Sequence, residues 1–208
     1  VLDRSIFHPK GGGQPSDKGR ICGQNFQVEV RKVMEVDGRI VQFGELSRGE
    51  GVEGEKVSEE VDWYWRYLLM KRHTAGHLLD HCLAVVLRRR VETIDAWHGD
   101  ECYVGYRGVK ASKGEAEEVE ELECTLLKEG RKVLCEILPY FQALQRVSEA
   151  PNIRRLPEAE MLRLVTIEGC DPIPCGGTHV KDIGEIESFN LKEIREVEGG
   201  FRIYYDVD

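Results

Sequence analysis

The chain has 208 residues, 41% hydrophobic and 8% aromatic, which supplies enough apolar side chains for one large core or two small ones. Acids outnumber bases by 38 to 29, a formal charge of −9, and no run approaches the ~18 apolar residues of a membrane span. A helical membrane protein and a strongly basic nucleic-acid coat are thereby excluded, although a local basic patch could still hold a polyanion. Seven cysteines at irregular spacing do not form a small disulfide framework and read as reduced thiols in a cytoplasmic protein. The first residues do not read as a secretory signal, and Val1 in place of Met leaves room for an initiating segment before them.

Residues 1 to 54 hold ten of the 22 glycines, interleaved with alternating runs such as Phe26, Val28, Val30 and Ile40, Val41, Phe43. These are strand signals, and Asp37-Gly38 between two of them is the chemistry of a tight hairpin turn. A small β-rich unit is therefore predicted first. From Trp63 the pattern turns helical through Leu68, Leu69, Ala75, Leu78, Leu79, Cys82 and Val85, and Arg88-Arg89-Arg90 is predicted to close this helix of roughly seven turns at its dipole-favoured end. Paired strands follow from Val91 to Tyr106 around Gly99, then a second helix from Glu115 to Lys128 with Val119, Leu122 and Leu126 on one face. The six acids between Glu115 and Glu123 are predicted to form its solvent face. Further strands are predicted at Lys132 to Leu138, Met161 to Ile167, Glu185 to Val197 and Phe201 to Val207. The second part is thus α+β, a sheet with helices on one side, and the boundary places one domain at 1–62 and another at 63–208.

On the long helix, His73-Thr74-Ala75-Gly76-His77 puts two imidazoles one turn apart on one face. That spacing suits a metal and equally suits two unrelated surface histidines. A second run, Asp171-Pro172-Ile173-Pro174-Cys175-Gly176-Gly177-Thr178-His179, adds a thiol and an imidazole in a loop that its prolines and glycines keep from becoming helix. Together His73, His77, Cys175 and His179 make a His₃Cys set, for which Zn²⁺ is the expected ion. Thr74 stands where the metalloprotease signature carries its catalytic Glu, which argues against a peptidase. His81 and Cys82 read as a polar flank and a core thiol, and the remaining cysteines as packing residues. In Phe7-His8-Pro9-Lys10-Gly11-Gly12-Gly13-Gln14-Pro15-Ser16-Asp17, three glycines offer bare amides, either to a ligand or merely at a hairpin tip.

All three runs, in this order and across nearly the whole chain, resemble the alanyl-tRNA synthetase editing domain and its free-standing relatives, the alanyl-tRNA editing proteins of the AlaX type. Among those it looks like the medium-length class, with a Gly-rich N-terminal β-barrel and no long C-terminal oligomerisation extension. The resemblance implies a small N-terminal β-barrel followed by an α/β sandwich editing domain, of the type of the threonyl/alanyl-tRNA synthetase second additional domain. It implies ATP-independent trans-editing: hydrolysis of serine wrongly attached to tRNA(Ala), with glycine a possible second substrate. The implied metal ligands and catalytic centre are His73, His77, Cys175 and His179. Thr93 is the nearest match to a family threonine that recognises the extra hydroxyl, and Gly11, Gly12, Gly13 and Gln14 are placed to close over the aminoacyl group. The family's pocket glutamine has no counterpart in Asp95-Ala96-Trp97-His98-Gly99.

Phosphate contact is expected from Arg66, Lys71 and Arg72 beside the metal helix and from Arg88 to Arg90 at its end, with neither a membrane nor DNA as partner. The competing reading is a non-catalytic, zinc-stabilised tRNA-binding module. A third, a zinc hydrolase of another ester or amide, is disfavoured by the missing Glu and by the Gly-rich loop. Oligomeric state is not read from the sequence.

Overall fold

The computed structural model describes residues 1–156 and 159–208. Four strands, β1 (Gly19–Cys22), β2 (Gln27–Val36), β3 (Arg39–Arg48) and β4 (Ser58–Val61), form an antiparallel sheet in the order β3-β2-β1-β4. Asp37 and Gly38 take positive φ of 50° and 72° between β2 and β3, the conformation that a two-residue turn needs to match the strand twist. Phe7, Ile21, Val30 and Val33 make this sheet's core.

The expected N-terminal barrel is not closed. Strands β3 and β4 are the two edges, and among the described residues no pairing joins them. The cause is visible in the side chains: β4 is only four residues long, and Phe43 and Leu46 of β3 stay exposed instead of facing an interior. An apolar interior is what would make closure favourable.

Helix α1 (Trp63–Leu87) starts where Asp62 accepts the Trp65 N–H at 3.1 Å, filling one of the orphan donors of the first turn. It ends one residue before the expected basic run. Arg88 adopts φ 50° and its N–H bonds the Val85 carbonyl, so Arg88 to Arg90 lie beyond the last turn rather than within it. Between Leu69 and Leu83 only Met70 and His81 are not buried. This stretch is covered on every side, while Trp63, Tyr64 and Val85 at the helix ends are exposed, so the charged residues Lys71 and Arg72 cannot be assigned to a solvent face.

The remaining elements are β5 (Thr93–Trp97), β6 (Tyr103–Arg107), α2 (Lys113–Glu129), β7 (Val133–Pro139), α3 (Tyr140–Arg146), β8 (Met161–Ile167), β9 (Ile173–Pro174), β10 (Phe189–Val197) and β11 (Gly200–Val207). They build a four-stranded antiparallel sheet, β10-β11-β6-β5, and a three-stranded one, β7-β8-β9. Helices α1 and α2 pack with the first sheet around Leu78, Leu79, Leu83, Tyr106, Val119, Ile183, Phe201 and Ile203. The fold is therefore mixed α/β with three open sheets. Among the described residues no helix is long and apolar enough to cross a membrane.

Several features depart from the sequence reading of this half: it holds two sheets rather than one, and the strand expected from Glu185 begins at Phe189, after a 3-10 turn at Ile183–Glu185. Helix α3 was not anticipated; it follows Pro139 without a side-chain cap and buries Ala143 against Leu162 and Leu164. The acidic face of α2 is incomplete, because Glu123 is fully buried while Glu117, Glu118 and Glu121 face solvent.

Candidate metal centre

Helix α1 brings His73 and His77 to one face, and the loop after β9 carries Cys175 and His179 against it. One ligating atom from each of the four lies within 4.8 Å of every other. Cys175 Sγ is 3.3 Å from His73 Nε2 and 3.4 Å from His179 Nε2. Donors around one tetrahedral Zn²⁺ stand about 3.5 Å apart, given metal–sulfur and metal–nitrogen bonds of about 2.3 and 2.0 Å. The four side chains that sequence spacing selected are thus assembled at a separation one ion could bridge.

Hydrogen bonds fix which ring nitrogen is presented. The Gln14 carbonyl oxygen accepts the Thr178 N–H at 2.9 Å and meets His73 Nδ1 at 2.8 Å, so Nδ1 carries the proton and Nε2 is left for a metal. Thr74 does the same for His179. Its hydroxyl donates to Met70 O at 2.8 Å and accepts from His179 Nδ1 at 3.1 Å. The residue that replaces the protease Glu is therefore an orienting group rather than a base. Gly177 has to lack a side chain, since a Cβ there would lie 2.2 Å from His73 Cε1. Arg163 clamps the loop by donating to the carbonyls of Cys175 and Gly177, each at 2.8 Å.

Burial sets the charge states. It drives His77 down to about 4, with the Arg163 charge adding to the effect, and it holds His73 and His179 well below the usual imidazole range. Neutral imidazole is the ligating form. The same burial pushes the Cys175 thiol up to about 11; a bound dication reverses that penalty and favours the thiolate. Donor chemistry, spacing and orienting partners all fit zinc. His98, stacked on His73 with ring centroids 4.2 Å apart and lowered to about 3 by burial, adds a neutral wall.

Three of the four donors, His73, His77 and Cys175, line a cavity of about 640 Å³. Thr93 lines it too, but its hydroxyl is engaged, accepting from Arg155 at 2.7 Å and donating to Pro151 O at 3.3 Å. Its neighbour Asn152 was missed by sequence reasoning. Asn152 donates to Pro174 O at 2.7 Å while its buried Oδ1 has no partner among the described residues. Gly11 and Gly12 reach the same cavity. Gly13, at φ 81°, lies against Ala96, and Gln14 is fully buried on the donor side of the site. Replacing Gln14 with alanine strands the His73 Nδ1 proton, and we expect zinc affinity to fall by about 10- to 100-fold in a competition titration against a chromophoric chelator.

The basic residues expected to meet phosphate divide into two groups. Arg66 is paired with Asp17, Lys71 faces Glu187 at 3.8 Å, and Arg72 donates to Asp206 at 2.9 Å and to the Gly99 carbonyl at 2.9 Å. These three tie α1 to its surroundings, because the helix they sit on is enclosed. Arg88, Arg89 and Arg90 are exposed, although Arg90 pairs with Glu149 at 2.9 Å and Arg89 donates to the Val109 carbonyl at 3.1 Å.

Comparison with known proteins supplies an independent line. Residues 1–65 match the family model for class II (A) tRNA synthetases, and residues 162–204 match that for the threonyl and alanyl tRNA synthetase second additional domain. The chain is 36% identical over 194 residues to the alanyl-tRNA editing protein AlaX-L of Pyrococcus horikoshii, an alignment covering 89% of this chain and 45% of that protein. It is 30% identical to the alanine–tRNA ligase of Pyrococcus abyssi and 31% identical to that of Ignicoccus hospitalis, over 96% of this chain and 22% of each ligase. The chain thus spans less than half the length of these relatives.

Proposed function

We propose that this chain, a relative of the AlaX-type alanyl-tRNA editing proteins and of the alanyl-tRNA synthetase editing domain, is a zinc-dependent deacylase that removes serine from mischarged tRNA(Ala) in trans. A relative named for alanyl-tRNA editing aligns with 89% of the chain, and alanine–tRNA ligases align with 95–96% of it. The observation that carries the hydrolytic reading is that three metal donors open onto a cavity large enough for an aminoacyl-nucleoside. A purely structural zinc needs no such opening.

His73, His77, Cys175 and His179 would hold the ion, which when bound supplies a Lewis acid for the ester carbonyl. The chain's own residues do the rest. Gln14 and Thr74 keep two imidazoles in the ligating tautomer, and Arg163 fixes the Cys175 loop. Gly11 and Gly12 bring bare backbone to the cavity. In this reading Thr93 Oγ1, which accepts from Arg155 and donates to Pro151 O, uses its remaining lone pair to accept a hydrogen bond from the seryl hydroxyl; alanine cannot make that bond, which discriminates by as much as ~10⁴. Glycine lacks the hydroxyl as well and is the weaker candidate. The exposed Arg88 to Arg90 are the proposed phosphate contacts, and division at 62/63 gives one part bearing the Gly-rich loop and one bearing the metal. Seven unpaired cysteines suit a reducing, cytoplasmic setting.

The second reading, a zinc-pinned tRNA-binding module without catalysis, draws on one observation: four donors fill a tetrahedral ion. Chelation separates the two. We expect a chelator to stop serine release while circular dichroism retains the helix and sheet signal, because α1 is held by an apolar core independent of the ion. Zinc should restore activity. Global unfolding on chelation would favour the module.

A further inference from the structure

Asp80 lies on α1 one turn beyond His77 and is buried. It lines the 640 Å³ cavity together with His77. Its Oδ1 accepts the Tyr106 hydroxyl at 2.8 Å. Its Oδ2 has no hydrogen-bond partner among the described residues, and it is not among the polar atoms closed off from solvent. One oxygen is therefore anchored and the other is accessible, at a position where Asp80 and His77 line both this cavity and an adjoining one of about 330 Å³.

A carboxylate in such a place is costly unless a cation meets it. Among the described residues no lysine, arginine or histidine comes within ion-pair distance of it. Burial raises the Asp80 carboxyl to about 7 and the Arg155 charge only partly offsets this, because Arg155 stands beyond ion-pair distance and is bonded to Thr93, while Arg163 holds the Cys175 loop. Glu35, the other acid lining the cavity, is exposed. The group still lacking is a cation that arrives with the ligand, and an aminoacyl ester carries one on the carbon next to its carbonyl.

We propose that the open oxygen of Asp80, held in place by Tyr106, accepts the free α-ammonium of the aminoacyl ester and thereby restricts the site to esters whose amine is unblocked. This rests on the deacylase reading and adds a specificity determinant to it. N-acylated and peptidyl esters would leave Asp80 unpaired and bring bulk against it, so they would be spared.

The test compares Ser-tRNA(Ala) with N-acetyl-Ser-tRNA(Ala) on the zinc-loaded protein and on Asp80→Asn. Asparagine keeps an oxygen for Tyr106 and removes only the charge, so a merely structural role is left undisturbed. We expect the parent to prefer the free amine by about 10- to 100-fold in kcat/KM, the worth of one hydrogen bond to a charged group. In the variant that preference should collapse toward one, through loss of the free-amine reaction alone. Equal rates for the two esters in the parent, or a variant that keeps the parent's preference, overturns the proposal. A parent that cleaves neither ester removes the deacylase reading itself. Should Asp80→Asn fold poorly, the parent alone decides: a non-hydrolysable amide analogue of seryl-adenosine should bind at least about 10-fold tighter than its α-hydroxy counterpart, and equal Kd values contradict the assignment.

Discussion

Replacing Cys175 or His77 with alanine is expected to remove the bound metal and the deacylase activity together, lowering kcat/KM by more than about 100-fold. The bound follows from the hierarchy of metal sites. Losing a group that merely orients a ligand costs about 10- to 100-fold, and losing a ligand costs more. Cys175 is the softest donor and sits 3.3 to 3.4 Å from two imidazole nitrogens, so its truncation opens one vertex of the site while leaving α1 intact. His77 lies within the apolar packing of α1, and its truncation also leaves a small void; the cysteine variant is therefore the cleaner of the two. Metal content by mass spectrometry and rates on one preparation check the coupling. A variant that loses zinc and keeps the parent rate would show that the ion is not part of the reaction.

The second large effect is on stability. Glu123 of α2 is fully buried, and neither carboxylate oxygen has a hydrogen-bond partner among the described residues. Burial, with smaller contributions from Cys124, Asp80 and Glu120, raises its pKa well above the ordinary 4.5. Below pH ~4.5 both folded and unfolded chains are protonated here and no penalty arises. Above it the unfolded chain ionises while the folded chain holds its proton, so the parent loses stability as pH rises, by at most about 1.4 kcal/mol per pH unit from this group until its folded pKa is passed. Glu123→Leu should therefore be more stable than the parent at pH 8, by about 1–3 kcal/mol or more, with the gap narrowing toward pH 4.5. Thermal melts across that range read it directly. A gap that widens toward acid would reverse the sign and contradict the account.

Much of the site was legible because two short runs carry it. A four-residue spacing on an uninterrupted helix leaves His73 and His77 little choice of geometry, and the proline- and glycine-rich run around Cys175 must be a loop. The hairpin at Asp37-Gly38 was equally local. What escaped the sequence depended on tertiary placement. Arg66, Lys71 and Arg72 read as a basic face, but α1 is enclosed and their charges are spent on Asp17, Glu187 and Asp206. Asn152 has no motif; it reaches the cavity because the adjacent Pro151 carbonyl accepts the Thr93 N–H at 2.9 Å. Glu123 could have been found, since it stands four residues after Val119 and three before Leu126 on the buried stripe, but the run of acids around it masked the period. The open N-terminal sheet turned on how few apolar residues β3 and β4 direct inward, a quantity that alternation alone does not fix.

The central claim is that the zinc-loaded chain hydrolyses the serine ester of tRNA(Ala) and leaves the alanine ester alone. Release of labelled amino acid from Ser-tRNA(Ala) and Ala-tRNA(Ala), measured side by side on the purified protein, tests it most directly. Serine should be freed at least about 100-fold faster than alanine, since the seryl hydroxyl alone can make the hydrogen bond proposed at Thr93. Serine that stays attached while the protein carries zinc and binds the tRNA would contradict the account and leave the non-catalytic module in its place.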